Sequence, residues 1–143
     1  MSDLRHQNVV RLHEIHETKG SFYLVLDHLS GGGIYERVRK NKMGFIAIRM
    51  ALESILRSLS YIHDKGIIHR DIKPDNILFE TDKDLSNLKL IDFGLAVQTN
   101  KQFGEVYRCG TPGYIAPEVL RSRDPIYSSK CDVFSVGVVF FVM

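Results

Sequence analysis

The densest run of chemically capable side chains is His69-Arg70-Asp71-Ile72-Lys73-Pro74-Asp75-Asn76, just after the longest helical pattern in the chain. Sixteen residues beyond Asn76 stands Asp92-Phe93-Gly94, directly after a strand-like Leu88-Lys89-Leu90-Ile91. Carboxylates can take a proton from a hydroxyl, and with amide oxygens they suit a hard cation. Taken alone, Asp92 reads equally well as the aspartate of a β-turn. Other candidates carry less chemistry. His13 and His16 are three apart in a strand-like run, where alternation points them to opposite faces, so no metal pair is expected. Cys109, in an exposed loop, has only Arg108 to favour a thiolate and reads as a small apolar residue. Cys109 and Cys131 lack CxxC spacing and read as reduced thiols of a cytoplasmic protein.

The elements around these groups must hold them in register. Val9 to Ile15 is half-alternating and reads as a strand. Ser21 to Leu26 is a second, after a Lys19-Gly20 turn. Ser30-Gly31-Gly32-Gly33 breaks regular structure, and a short helix is expected from Ile34 to Lys40. Phe45, Ile48, Leu52, Ile55, Leu59 and Ile62 recur at steps of 3, 4, 3, 4 and 3, the apolar stripe of a long helix closed by Gly66. Ile77-Leu78-Phe79 and Leu88 to Ile91 flank a polar turn from Glu80 to Asn87. Residues 92–118 read as one extended loop, a length usually kept for function. The final apolar segment has two equally apolar faces and is expected to be a wholly buried helix. The order of elements is α+β.

Composition narrows the class. With 143 residues, 44% hydrophobic and 25% charged, the chain reads as one globular domain. A net charge of +2 without a basic block argues against a nucleic-acid partner. The longest apolar run, Val133 to Met143, is broken by Ser135 and has about half the length of a membrane span. No apolar leader opens the sequence, so a soluble, intracellular protein is expected.

Together, residues 69–76 and Asp92-Phe93-Gly94 resemble the catalytic loop and the metal-binding loop of eukaryotic protein kinases. Gly110-Thr111-Pro112-Gly113-Tyr114-Ile115-Ala116-Pro117-Glu118 is similar to the end of a kinase activation segment. Asp132-Val133-Phe134-Ser135-Val136-Gly137 resembles the start of the large lobe's central helix. His6-Gln7-Asn8-Val9-Val10 resembles the run into the fourth strand of the small lobe. The motifs stand in the family's order and cover the whole chain. The resemblance implies a kinase-like, two-lobed α+β fold of which the back of the small lobe and the first half of the large lobe are present. Small-lobe strands and hinge would occupy about 1–33. Large-lobe helices, catalytic loop and activation segment would occupy about 34–143.

The same resemblance implies ATP and Mg²⁺ as cofactors, and a reaction that depends on positioning and electrostatics. Asp71 would accept or orient the proton of the substrate hydroxyl, and Lys73 would place a cation beside the transferred phosphate. Asn76 and Asp92 would give Mg²⁺ its oxygen ligands. The adenine would sit near Leu26, Asp27, His28 and Leu29, the gatekeeper and hinge, with Leu78 as floor. The Lys73 spacing, with Thr111 before Pro112, resembles serine/threonine kinases, in which that threonine bonds the catalytic aspartate and lysine. Arg70 implies pairing with an activation-segment phosphate, although Tyr107 stands where many relatives carry a threonine. Gly33 replaces a glutamate common in relatives, while Asp75 could meet a basic substrate side chain. His69 is expected to stack with Phe93, Leu12 and Met1.

The runs SGGGIYERV, CGTPGYIAPEVL and YSSKCDVFSVGVVFF bring the resemblance closest to the calcium/calmodulin-dependent kinase group. It implies a protein substrate with a Ser/Thr acceptor, and a calmodulin-binding or calcium-sensing region outside these residues. A whole kinase domain has roughly 250 residues. The chain holds no GxGxxG loop, no Val-Ala-Ile-Lys lysine and no helix-borne glutamate to pair with it. Three readings follow: an internal piece of a longer serine/threonine kinase, a truncated, catalytically inactive module that binds a partner, or an unrelated α+β binding domain whose motifs coincide by chance. In the isolated chain Glu118 would lack the arginine partner that the resemblance implies. Val136, Val138, Val139, Phe140 and Phe141 lack much of their packing, worth about 1.5–3 kcal/mol each, so the isolated chain is expected to be unstable.

Overall fold

The computed structural model describes residues 3–40, 43–84, 87–99, 108–121 and 127–142. Met1, Tyr107 and two residues of the turn between Glu80 and Asn87 lie outside the described residues.

Aromatic and β-branched residues around a two-residue turn make an antiparallel hairpin of β1 (Leu12–Thr18) and β2 (Ser21–Leu26). Thr18 pairs with Ser21 and Leu12 with Leu26, with a register irregularity between Leu12 and Glu14. β1 starts three residues later than the alternation suggests. Val9 and Val10 are buried core residues ahead of it, and the Val10 N–H donates to Leu90 O at 2.9 Å. Their apolarity serves the core under the hairpin and not the hairpin's own face.

α1 (Ile34–Arg39) follows the glycine run, and its Arg37 is buried. The Arg37 guanidinium lies 4.2 Å from the Phe79 ring centroid and donates to Gly31 O at 2.9 and 2.7 Å and to Thr81 O at 2.9 Å. The fork of donors suits a site where several carbonyls must be met at once. α2 (Phe45–Asp64) keeps the predicted stripe from Ile48 onward, with Ile55, Leu59 and Ile62 buried. Phe45 departs from it: in the first turn it projects past the edge of the core and is 82% exposed, while Ala51 takes a fully buried place. Gly66 ends the helix as expected. Its φ of +69° is open to glycine, and its N–H donates to His63 O at 2.8 Å.

Beyond α2 come β3 (Ile67–Ile68), a 3₁₀ turn (Pro74–Asn76), β4 (Ile77–Phe79) and β5 (Leu88–Leu90). β4 and β5 pair antiparallel, Ile77 opposite Leu90 and Phe79 opposite Leu88, and all four side chains are fully buried. α2 packs against this hairpin, forming the main core. Residues 92–118 are not one loop. β6 (Val97–Gln98) pairs with β3, and α3 (Pro117–Arg121) begins inside the range. Strands of two residues are too short to show a period.

α4 (Ser129–Phe141) is not wholly buried: Cys131, Asp132, Ser135, Val136 and Val139 face inward, while Val133, Phe134 and Phe141 are exposed. Among the described residues no helix is long and apolar enough to cross a membrane.

Candidate active site

β3 and the 3₁₀ turn bracket residues 69–76, and most of what holds this loop comes from far along the chain. The His69 ring is fully buried, and its Nε2 lies 3.0 Å from Ile91 O, an acceptor, so Nε2 carries the hydrogen. Nδ1 is then free to accept the Asp71 N–H at 3.3 Å. Burial lowers the His69 pKa and keeps the ring neutral, a packed histidine rather than an acid or base. It meets Phe93 edge-on, with ring centroids 4.9 Å apart at 61°.

Arg70 and Asp92 both occupy the left-handed region, with φ of 68° and 57°, which non-glycine residues adopt only when their surroundings impose it. Asp132, in the first turn of α4, imposes the first. Its buried carboxylate accepts the N–H groups of His69 and Arg70, each at 2.9 Å, and meets His63 Nε2 at 2.8 Å. The Arg70 side chain turns to Leu95 O, to which Nε donates at 2.6 Å, and to the Tyr127 ring, 4.7 Å below the guanidinium.

Asp71 sits at the centre of a small polar cluster. Thr111 Oγ1 donates to Asp71 Oδ1 at 2.6 Å, and Lys73 Nζ lies 2.8 Å from Asp71 Oδ2. Lys73 Nζ also donates to Thr111 Oγ1 at 2.9 Å, closing a triangle. Asn76 Nδ2 donates to Asp71 O at 2.8 Å and to Oδ2 at 3.2 Å. Burial pushes the Asp71 carboxyl up, but the bonds from Lys73, Thr111 and Asn76 outweigh it and hold the pKa below the ordinary value. The bond to Asp71 raises the Lys73 pKa against the pull of burial. Both groups are therefore charged at neutral pH. Thr111 reaches the cluster because Gly110 takes a φ of +115° and packs on the 69–76 loop. A Cβ there would lie 2.8 Å from Arg70 O.

The two expected cation ligands flank the cluster. With its amide nitrogen turned to Asp71, Asn76 has Oδ1 left as a ligand atom. Its carbonyl accepts the Ile91 N–H at 3.0 Å, which brings it next to the residue before Asp92. Asp92 is exposed, and its Oδ1 accepts the Gly94 N–H at 3.1 Å. Among the described residues no group of three His, Cys, Asp or Glu side chains could hold a metal. One carboxylate and one amide oxygen fit Mg²⁺, which keeps waters and shares phosphate oxygens, and they do not form an all-protein cage.

The residues expected to meet the adenine come from the end of β2, the segment after it and β4. Leu26 is 40% exposed, Leu29 and Leu78 are half-buried, and Leu78 bridges to Gly33. The Asp27 side chain is engaged in the fold: its carboxylate accepts the Arg11 N–H at 3.0 Å and meets His13 Nε2 at 2.9 Å and Lys89 Nζ at 2.8 Å. Contact with a nucleotide would therefore fall to its backbone. His13 thus goes to Asp27 while His16 goes to Glu14 at 2.8 Å, so the two histidines serve different carboxylates. Cys109 is half-buried, not exposed, because it packs against Tyr127. Sequence reasoning did not identify Asp132 or Tyr127 as supports of this site. The acidic residue in the first turn of a largely apolar helix was the available signal for Asp132.

Residues 1–143 match the family described as protein kinase domain. The chain is 39% identical over 143 residues to CBL-interacting serine/threonine-protein kinase 15 of Arabidopsis thaliana, covering 98% of this chain and 33% of that protein. It is 41% identical over 143 residues to the ovarian-specific serine/threonine-protein kinase Lok of Drosophila melanogaster, covering 99% of this chain and 30% of that one. With CBL-interacting protein kinase 2 of Oryza sativa subsp. japonica the identity is 37% over 146 residues, covering 100% and 32%. The chain spans about a third of the length of these curated relatives.

Proposed function

The chain belongs to the protein kinase domain family and has its α+β fold, and on that premise we propose that its protein is a serine/threonine kinase transferring the ATP γ-phosphate to Ser or Thr hydroxyls of protein substrates. The observation that carries the reading is the Asp71–Lys73–Thr111 triangle. An ionised carboxylate held on one side by a hydroxyl and on the other by an ammonium is fixed in orientation. It can accept the proton of an incoming hydroxyl. Lys73 sets positive charge where phosphate oxygens would gain negative charge. Asn76 Oδ1 and the Asp92 carboxylate would hold Mg²⁺, which when bound offsets charge on the phosphates. The adenine would lie between Leu26 and Leu78, against the backbone of residues 27–29.

Further parts of the reading rest on the same premise. The division near residue 33 is supported by the β1–β2 hairpin, whose strands make their main contacts with each other. A calcium-sensing regulatory region outside residues 1–143 remains part of the proposal. So does a cytoplasmic location, supported by the two free cysteines.

The test is phosphotransfer by the full-length protein to Ser/Thr peptides, with Asp71→Asn as comparison. The substitution should lower the rate roughly 10²–10⁴-fold. Undiminished transfer would overturn the assignment of Asp71. A wild-type protein without transfer would favour the partner-binding module instead.

A further inference from the structure

Tyr127 touches the two chain segments that carry the polar cluster, at Cys109 and Arg70, without touching the cluster itself. At its polar end, the hydroxyl accepts the Cys109 N–H at 3.0 Å, donates towards Cys109 O at 3.4 Å and lies 3.6 Å from Cys109 Sγ. On its face, the ring carries the Arg70 guanidinium at 4.7 Å, a cation–π distance. Cys109 is two residues before Thr111, and Arg70 is one before Asp71. The tyrosine therefore grips both chain segments whose ends meet in the 2.6 Å Thr111–Asp71 bond. Between the two grips the segments already touch, since the Gly110 backbone packs on Arg70 O too closely for any Cβ. Burial raises the Tyr127 pKa, so the hydroxyl stays protonated and can both donate and accept.

The source of the tyrosine adds to the case. Five residues later, Asp132 binds the N–H groups of His69 and Arg70. One short segment at the head of α4 thus orients the catalytic loop through Asp132 and the end of the activation segment through Tyr127.

We propose that Tyr127 is a positioning residue for phosphoryl transfer, a two-ended clamp that sets Thr111 against Asp71 through Cys109 and Arg70. This rests on the kinase reading above. The plainer account is packing alone, because Tyr127 also lies against the cluster of Ile68, Ala116, Val119 and Cys131. Tyr127→Phe separates the two: it keeps the ring, its packing and the stack under Arg70, and removes only the hydroxyl.

The experiment uses the full-length protein. Tyr127→Phe should lower kcat roughly fivefold to tenfold, the effect of about one lost hydrogen bond, with the KM for ATP within about twofold of wild type. Amide hydrogen exchange in the 108–111 stretch should quicken by a similar factor. In a Thr111→Ala background the same substitution should change kcat by less than about twofold, because the group it positions is gone. A wild-type kcat, or an equal fall in both backgrounds, overturns the clamp. Tyr127→Leu, which also removes the ring, should lose more. Should it not fold, the Phe variant decides alone. A wild-type protein without phosphotransfer would sink the kinase reading. The exchange measurement would then decide the clamp, and unchanged exchange at 108–111 would overturn it.

Discussion

Replacing Asp27 by asparagine should destabilise the protein by an amount that depends on pH in a defined sense. The carboxylate joins β1 to β5 by accepting from the Arg11 N–H, His13 and Lys89. Burial pushes its pKa up, but the bonds from Lys89, Arg11 and His13 more than reverse this and take it from the ordinary 3.8 to about 2. At 1.36 kcal/mol per pH unit, that preference for the ionised, folded form corresponds to about 2 kcal/mol. The side chain is 18% exposed, so solvent screening brings the expected value to about 1–2 kcal/mol. Because the folded-state pKa is depressed, the contribution is complete above 3.8 and is lost as pH falls towards 2. The difference in unfolding free energy between wild type and Asp27→Asn should therefore be about 1–2 kcal/mol at pH 7, shrink below pH 4 and vanish near pH 2. Urea unfolding of the full-length protein by circular dichroism, repeated across this range, measures it. A difference that stays constant from pH 7 to pH 3 would refute the reasoning, because it would trace the loss to shape rather than to charge.

Substitutions at Thr111 and Asp132 probe the cluster and the backbone that holds it. Thr111→Ala removes a donor to Asp71 and an acceptor of Lys73, and should lower kcat about 10–100-fold, while Thr111→Ser restores most of it. Steady-state kinetics with both variants check this, and a serine variant as poor as alanine would contradict it. Asp132→Asn leaves one acceptor oxygen to face three donors, so at least one buried N–H loses its partner. It should cost about 2–4 kcal/mol in a denaturant titration and lower kcat as the 69–70 backbone relaxes.

The parts of the fold legible in the sequence are those whose signal is local and long enough to repeat. Twenty residues of α2 display their stripe, and the β1–β2 hairpin announces its turn. The misreadings share a cause. Val9 and Val10 alternate like a strand, yet the core beneath β5 claims them. Phe45 fits the period but stands 82% exposed in the first turn of α2. β3 and β6 exist only because they pair with each other over about thirty residues of sequence, and neither has enough length to be read alone. Likewise, the resemblance of residues 69–76 and 92–94 to kinase motifs marked Asp71, Lys73, Asn76 and Asp92 as the candidate site. The engagement of Asp27 by Lys89 could not be seen, because the partner stands 62 residues away.

Nothing local favours Arg70 at φ 68°, since an isolated chain would leave the left-handed region at once. The conformation persists because Asp132 binds the backbone on both sides of the peptide and because Gly110 lies against the Arg70 carbonyl. Thr111 and Asp71, 40 residues apart, meet only when both contacts are made. The triangle is therefore a tertiary feature, not a property of the loop sequence. A peptide of residues 69–76 would carry every group the motif names and none of the geometry. The cost of forming that geometry is met by long-range contacts, among them those of the segment 127–132, so the Asp71–Lys73–Thr111 triangle should be lost with the docking of that segment, before α2 or the β4–β5 hairpin unfolds.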